Sequence, residues 1–119
     1  MKAIKLFTLL AALICATTSW AQTPTVVTNE NELRTAVLTN NAQIQFANDI
    51  STSSLLEIKN SRTITIDMNG FTLDRGCTSR GSQVIVVRTG STLNLSNGTL
   101  TGGWGGNGGA LDIETGTTV

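Results

Sequence analysis

Histidine is missing from all 119 residues. That removes the usual general base near neutral pH and the usual imidazole ligand of transition metals. Cysteine is scarce: Cys15 lies in an N-terminal apolar run, and Cys77 stands alone beyond it. A lone thiol excludes an intrachain disulfide and a cysteine-based zinc site, and leaves only pairing between chains open. Basic clusters are absent too. Beyond residue 21 the cations are Arg34, Lys59, Arg62, Arg75, Arg80 and Arg88, scattered and outnumbered by the 8 carboxylates. No nucleic-acid footprint fits that distribution. The main apolar run, Leu6–Ala16, is shorter than the roughly 20 residues that span a bilayer.

What is present begins with a leader pattern. Met1–Lys5 is basic, Leu6–Ala16 (LFTLLAALICA) is apolar, and Ser19 and Ala21 place small residues where signal peptidase reads. Residues 1–21 are therefore expected to be a cleaved secretory signal, with the mature chain starting at Gln22. A buried N-terminal helix is the weaker alternative. A lipoprotein through Cys15 is weaker still, because bulky Ile14 precedes the cysteine. Export places the mature chain outside the cell, on its surface or in the periplasm, and not across a membrane.

The centre of the chain repeats itself. Arg62–Gly76 (RTITIDMNGFTLDRG) returns in shortened form as Ser91–Gly102 (STLNLSNGTLTG). Each copy holds an alternating run, an Asn-Gly corner and a second short run. Self-similarity at such a period marks a repeat architecture. Ahead of it, Gln22–Thr28 is polar and expected to lead in without packing. Leu33, Ala36 and Val37 share one helical face, and Asn29 with Glu32 has capping-box spacing, so a short helix is predicted at about 29–39.

After Asn40-Asn41 the period changes to two, and three kinds of segment recur in fixed order. The first kind is Leu55–Ile58, Val84–Val87 and Ala110–Ile113. The second is Ile44–Phe46, Thr63–Ile66, Thr92–Leu95 and Thr117–Val119. The third lies around Ile50, then Phe71–Leu73, then Thr99–Thr101. Like segments stacking on like, with no crossover helices, predict an all-β fold: a parallel β-helix (solenoid) over 22–119, plugged by the short N-terminal helix. Ile64, Ile66, Leu93 and Leu95 are expected to point in, and Thr65 and Asn94 out. The rival is a hairpin at Asn69-Gly70, which would make Thr63–Asp67 antiparallel to Phe71–Arg75. The chain stops inside a second-kind segment, so a stack truncated at its C-terminal end, marginal and self-associating when isolated, is the expectation. Two longer insertions, Asp74–Gln83 and Gly102–Gly109, are expected to emerge on one side, where solenoids often bind.

The runs ITIDMNGFTLDR and GSTLNLSNGTLTGG, and GGALDIETGTTV after them, resemble the N-terminal coils of right-handed parallel β-helix proteins of the pectin-lyase-like superfamily, above all secreted or surface-attached bacterial members. Gly108-Gly109-Ala110-Leu111 is also similar to the GGA repeat of polymorphic outer-membrane adhesins. Their companion Phe-x-x-Asn occurs only as Phe46-Ala47-Asn48-Asp49, with Asp in the last place. The resemblance implies the right hand of the coil. It implies no single activity, since lyases, hydrolases, phage spikes and adhesins share this shape.

Chemical signals are few. Gly103–Gly108 matches G-x-G-x-x-G by letter, but a strand pattern follows where a dinucleotide site needs a helix. The calcium-binding nonapeptide fails because Ala110 stands where Asp is wanted. Enzymes of this fold cluster carboxylates on an outward strand face. Here Glu57, Val86 and Asp112 would stack outward, beside Lys59, Arg88 and Glu114. At a coil spacing of ~4.8 Å, Glu57 and Asp112 would be about 9–10 Å apart, too far to share a calcium ion directly. Arg88 and Glu114 read as a weak surface pair. Asp49, Asp67 and Asp74 sit beside corners, where such residues bond turn backbone. Trp104 is the leading ligand-binding candidate, since an indole on a glycine loop stacks on a sugar face; Asn107 accompanies it. The alternative is Trp104 folded back as a lid.

The sequence thus points to a secreted or cell-surface β-helix scaffold, adhesive or carbohydrate-binding, with carbohydrate or a cell-surface ligand as partner. No cofactor, no metal site and no catalytic set are expected, and whether the protein is an enzyme stays open. The alternative is the first part of a polysaccharide lyase or glycoside hydrolase with catalytic coils beyond residue 119.

Overall fold

The computed structural model describes residues 22–78, 80–105 and 109–119. The leader expected over 1–21 lies outside them. The regular structure of the described chain is mostly strand, with one short helix. In order it forms β1 (Thr25–Val27), α1 (Glu30–Ala36), β2 (Ala42–Phe46), β3 (Ile50–Ser51), β4 (Leu56–Ile58), β5 (Thr63–Asp67) and β6 (Thr72–Asp74). Then come β7 (Ile85–Val87), β8 (Thr92–Ser96), β9 (Thr99–Thr101) and β10 (Leu111–Ile113).

From β2 onward the chain visits three sheets in rotation. The sheets run β1-β2-β5-β8, β3-β6-β9 and β4-β7-β10, and every pairing is parallel. The three expected kinds of segment are these three sheets. Register matches the internal repeat residue for residue: Thr63 faces Thr92, Ile66 faces Leu95 and Asp67 faces Ser96. A further bridge joins Thr92 to Thr118.

The core follows from alternation. Ala42, Ile64 and Leu93 stack inward at 9% exposure or less, while Thr65 is half-buried and Asn94 exposed. Ile50 and Leu73, from the second sheet, and Leu56, Ile58, Ile85 and Val87, from the third, complete the cluster. Burying a residue of this size contributes roughly 1.5–3 kcal/mol.

The Asn69-Gly70 hairpin does not form, yet its turn does. Asn69 and Gly70 take φ of 52° and 88°, and Phe71 N–H donates to Met68 C=O at 2.8 Å. Asn and Gly suit this left-handed pair because their steric cost there is low. The corner sends β6 into a different sheet, because Ile64 and Ile66 bury fully only against β2 and β8.

Three expectations at the N-terminal end need correction. Gln22–Thr28 does pack: β1 joins the edge of the first sheet, pairing Val27 with Phe46 and burying Val27 completely. The capping box is also rearranged. Asn29 Oδ1 accepts from Glu32 N–H at 2.9 Å, as expected of an N-cap. Glu32 returns its carboxylate to the N–H and hydroxyl of Thr28, at 2.7 and 2.8 Å, instead of to Asn29. Those bonds, the backbone one foremost, hold the Glu32 carboxyl below its ordinary pKa. The helix is shorter than the predicted stretch, ending at Ala36 with Val37 as C-cap.

Helix α1 lies over the open end of the stack. Leu33 and Val37 enter the core, and two charged side chains satisfy strand-end backbone. Glu30 accepts from Ser53 N–H at 3.1 Å, and Arg34 donates to Ser54 C=O at 2.7 Å and Leu55 C=O at 3.1 Å. The two also pair with each other at 2.8 Å. Together they stand in for the donors and acceptors that a preceding strand would supply.

Candidate functional site

The two insertions do leave the stack on the same side, between the second sheet and the third. Their described parts are tied together by backbone: Cys77 N–H donates to Gly102 C=O at 2.8 Å, and Gly81 N–H to Trp104 C=O at 3.1 Å. Trp104 N–H donates in turn to Ser82 C=O at 3.0 Å. Arg75 Nε meets Ser82 Oγ at 3.2 Å, and Cys77 Sγ lies 3.6 Å from Ser82 C=O.

Glycine makes this close approach possible. A Cβ on Gly103 would fall 1.7 Å from Gly109 C=O, and one on Gly102 would fall 2.1 Å from Asp74 Oδ1. The loop carrying Trp104 is therefore pinned through its main chain on both sides. Trp104 itself is 50% exposed. Asn107, its expected companion, lies outside the described residues.

The outward face of the third sheet carries the charges. Register places Glu57, Val86 and Asp112 in one row, as expected. Arg88 lies between two carboxylates: Nη2 meets Glu57 at 2.5 Å and Nη1 meets Glu114 at 2.8 Å. Lys59 approaches the other oxygen of Glu57 at 3.5 Å. Arg88 is the first cause that lowers the pKa of both glutamates; at Glu57 burial opposes it, and at Glu114 the Thr89 N–H assists. Asp112 is held apart, accepting from Gln83 Nε2 at 2.9 Å. The weak Arg88–Glu114 pair is thus half of a larger link across three strands. Sequence reasoning missed the Glu57 half, because that contact runs diagonally between coils.

The corner aspartates do what their positions suggested. Asp49, Asp67 and Asp74 each accept a backbone N–H, from Thr72, Asn69 and Gly76, at 2.9, 2.8 and 2.8 Å. Among the described residues no three His, Cys, Asp or Glu side chains group to hold a metal ion. No described helix is long and apolar enough to cross a membrane. Comparison with protein-family models, with curated proteins and with solved structures gives no match.

Proposed function

We propose that this chain forms coils of a right-handed parallel β-helix, exported behind the 1–21 leader, that serves as a surface scaffold and presents Trp104 to a carbohydrate. The observation that carries the reading is the Trp104 loop itself: main chain bonded on both sides to the neighbouring loop, ring half-exposed. A fixed backbone lowers the ordering cost of binding, and a flat amphipathic ring suits a sugar face. The three parallel sheets supply the rigid base on which such a loop can be held. Nothing in the charged face of the third sheet pairs carboxylates for acid–base work, since Arg88 separates Glu57 from Glu114.

Trp20 lies in the leader, so a protein processed after Ala21 carries Trp104 as its one indole. Its emission then reports the site directly. Screening the secreted protein against immobilised polysaccharides should give retention with a blue-shifted emission. Trp104→Ala should abolish retention and Trp104→Phe keep part of it, with unchanged circular dichroism. Retention that survives Trp104→Ala would remove the site. N-terminal sequencing of the secreted protein is expected to begin at Gln22.

A further inference from the structure

The two Asn-Gly corners offer a comparison that stands apart from the Trp104 site. Asn69-Gly70 and Asn97-Gly98 stack one above the other, and both asparagines are exposed with left-handed φ, 52° and 58°. Their side chains bond alike to the coil beneath. Asn69 Nδ2 donates to Phe46 C=O at 3.4 Å, and Asn97 Nδ2 to Asp67 Oδ1 at 3.1 Å. They differ at the following nitrogen. Gly70 N–H donates to Asn97 C=O at 2.6 Å, whereas Gly98 N–H has no acceptor among the described residues. Asn69, Gly70, Asn97, Gly98 and Thr99 line a shallow groove open to water.

We propose that Asn97 is a site of spontaneous conversion to aspartate and isoaspartate, and that its conversion speeds the slower conversion of Asn69. The Gly98 amide nitrogen, losing its proton to solvent base, attacks Cγ of Asn97. The Cγ–Nδ2 bond breaks, ammonia leaves with a proton from water, and a succinimide closes. Water then opens the ring at either carbonyl, giving aspartate or isoaspartate. At Asn69 the same nitrogen is held by a short hydrogen bond, which must break before attack.

That acceptor belongs to Asn97, and this sets the order. Isoaspartate at 97 lengthens the main chain by one carbon at the residue whose carbonyl covers Gly70 N–H. Either product also removes the Nδ2 donor to Asp67 and adds a carboxylate at the corner, on Cγ in aspartate and on Cα in isoaspartate, so a second negative charge stands near Asp67. Asp67 now sits below its ordinary pKa, through the Asn69 N–H first and the Asn97 amide second. Loss of the amide and the added repulsion both loosen the contact that protects Gly70.

The test is incubation of the purified chain in mildly alkaline buffer, with fragmentation mass spectrometry locating each amide-to-acid gain on single molecules. Asn97 is expected to convert at least about fivefold faster than Asn69, the factor carried by one backbone hydrogen bond of ordinary net strength. Conversion at Asn69 should run faster on molecules already converted at Asn97 than on molecules that keep Asn97. In denaturing urea the two sites should convert alike, since both precede glycine. Asn97→Gln should hold Asn69 at its slow rate for as long as the folded chain persists. Equal rates at the two sites in the folded protein, or conversion of Asn69 as fast with Asn97 intact as after its conversion, would overturn the proposal.

Discussion

At one end of the stack, Val27 and Leu33 cover β2 and its neighbours, and every inward residue of β2 and β4 is buried. At the other end, β8, β9 and β10 carry the same alternation, yet Leu95, Leu100 and Leu111 are only partly buried and Ile113 is 48% exposed. The inward residues themselves do not explain the difference: Ile66 and Leu95 are register partners, one at 1% exposure and the other half-buried. A coil's core is filled from above and below as well as from across. The α1 end has its second layer. At the β8–β10 end, among the described residues, β9 and β10 each pair with one strand, and β8 has only the Thr92–Thr118 bridge beyond β5.

Leu33→Ala offers the largest test of that contrast. It removes a fully buried side chain under α1, and a loss of about 2–5 kcal/mol is expected in urea denaturation. Leu111→Ala, the same truncation at the more open end, should cost clearly less. Equal losses would mean that the two ends are packed alike.

Next comes the polar half of the cap. Arg34→Ala takes donors from Ser54 and Leu55 carbonyls and leaves Glu30 without its partner; about 1–2 kcal/mol is expected. Hydrogen exchange should quicken at Ser53 and along β4 while β7 stays protected. Arg34→Lys should recover only part, because a point cation lacks the planar fork that reaches both carbonyls. Uniformly faster exchange in all three sheets would show that α1 is not a local cap.

Asn29→Ala should cost about 1 kcal/mol through the lost bond to Glu32 N–H. The effect should be read as fraying of α1 in exchange measurements, with the open end untouched.

The smallest effect is electrostatic and lies on the third sheet. Glu57 and Glu114 have folded pKa values below their ordinary 4.5, with Arg88 as the first cause. Groups depressed in the folded state stabilise it above their unfolded pKa, and that contribution is lost as pH falls through the folded value. Melting temperature should therefore fall below about pH 4.5. Arg88→Met should flatten part of that fall, by a small amount because all three side chains are partly exposed. An unchanged acid slope would show that the link across β4, β7 and β10 contributes nothing.

Much of the fold was legible in residue order. Ile64 and Ile66 lie at matching places with Leu93 and Leu95 in an alternating repeat, and parallel stacking is the arrangement that turns all four inward. Asp49, Asp67 and Asp74 were readable as corner residues because an Asx bond to nearby or overlying backbone needs only local geometry. β1 was not legible. It is three residues long, too short to show a period, and its place depends on a free edge of β2 that no local pattern announces. The candidate site divides in the same way. Trp104 stands out by type and by its glycine loop, but the bonds from Gly81 and to Ser82 that pin it join residues far apart in the chain.

The amino-acid sequence by itself settled which residues alternate, where the corners fall, that a short helix precedes the alternating segments, and which chemistries lack their residues. Period and turn chemistry are properties of neighbours along the chain, so they survive without a structure. Tertiary structure alone decided that the Asn69-Gly70 turn joins two sheets instead of a hairpin, and that Glu32 serves Thr28. It also decided that Arg88 bridges Glu57 to Glu114, and that Gly70 N–H is covered while Gly98 N–H is not. Each of these depends on which coil lies above or below, and stacking between coils is fixed by core burial across the whole assembly of strands.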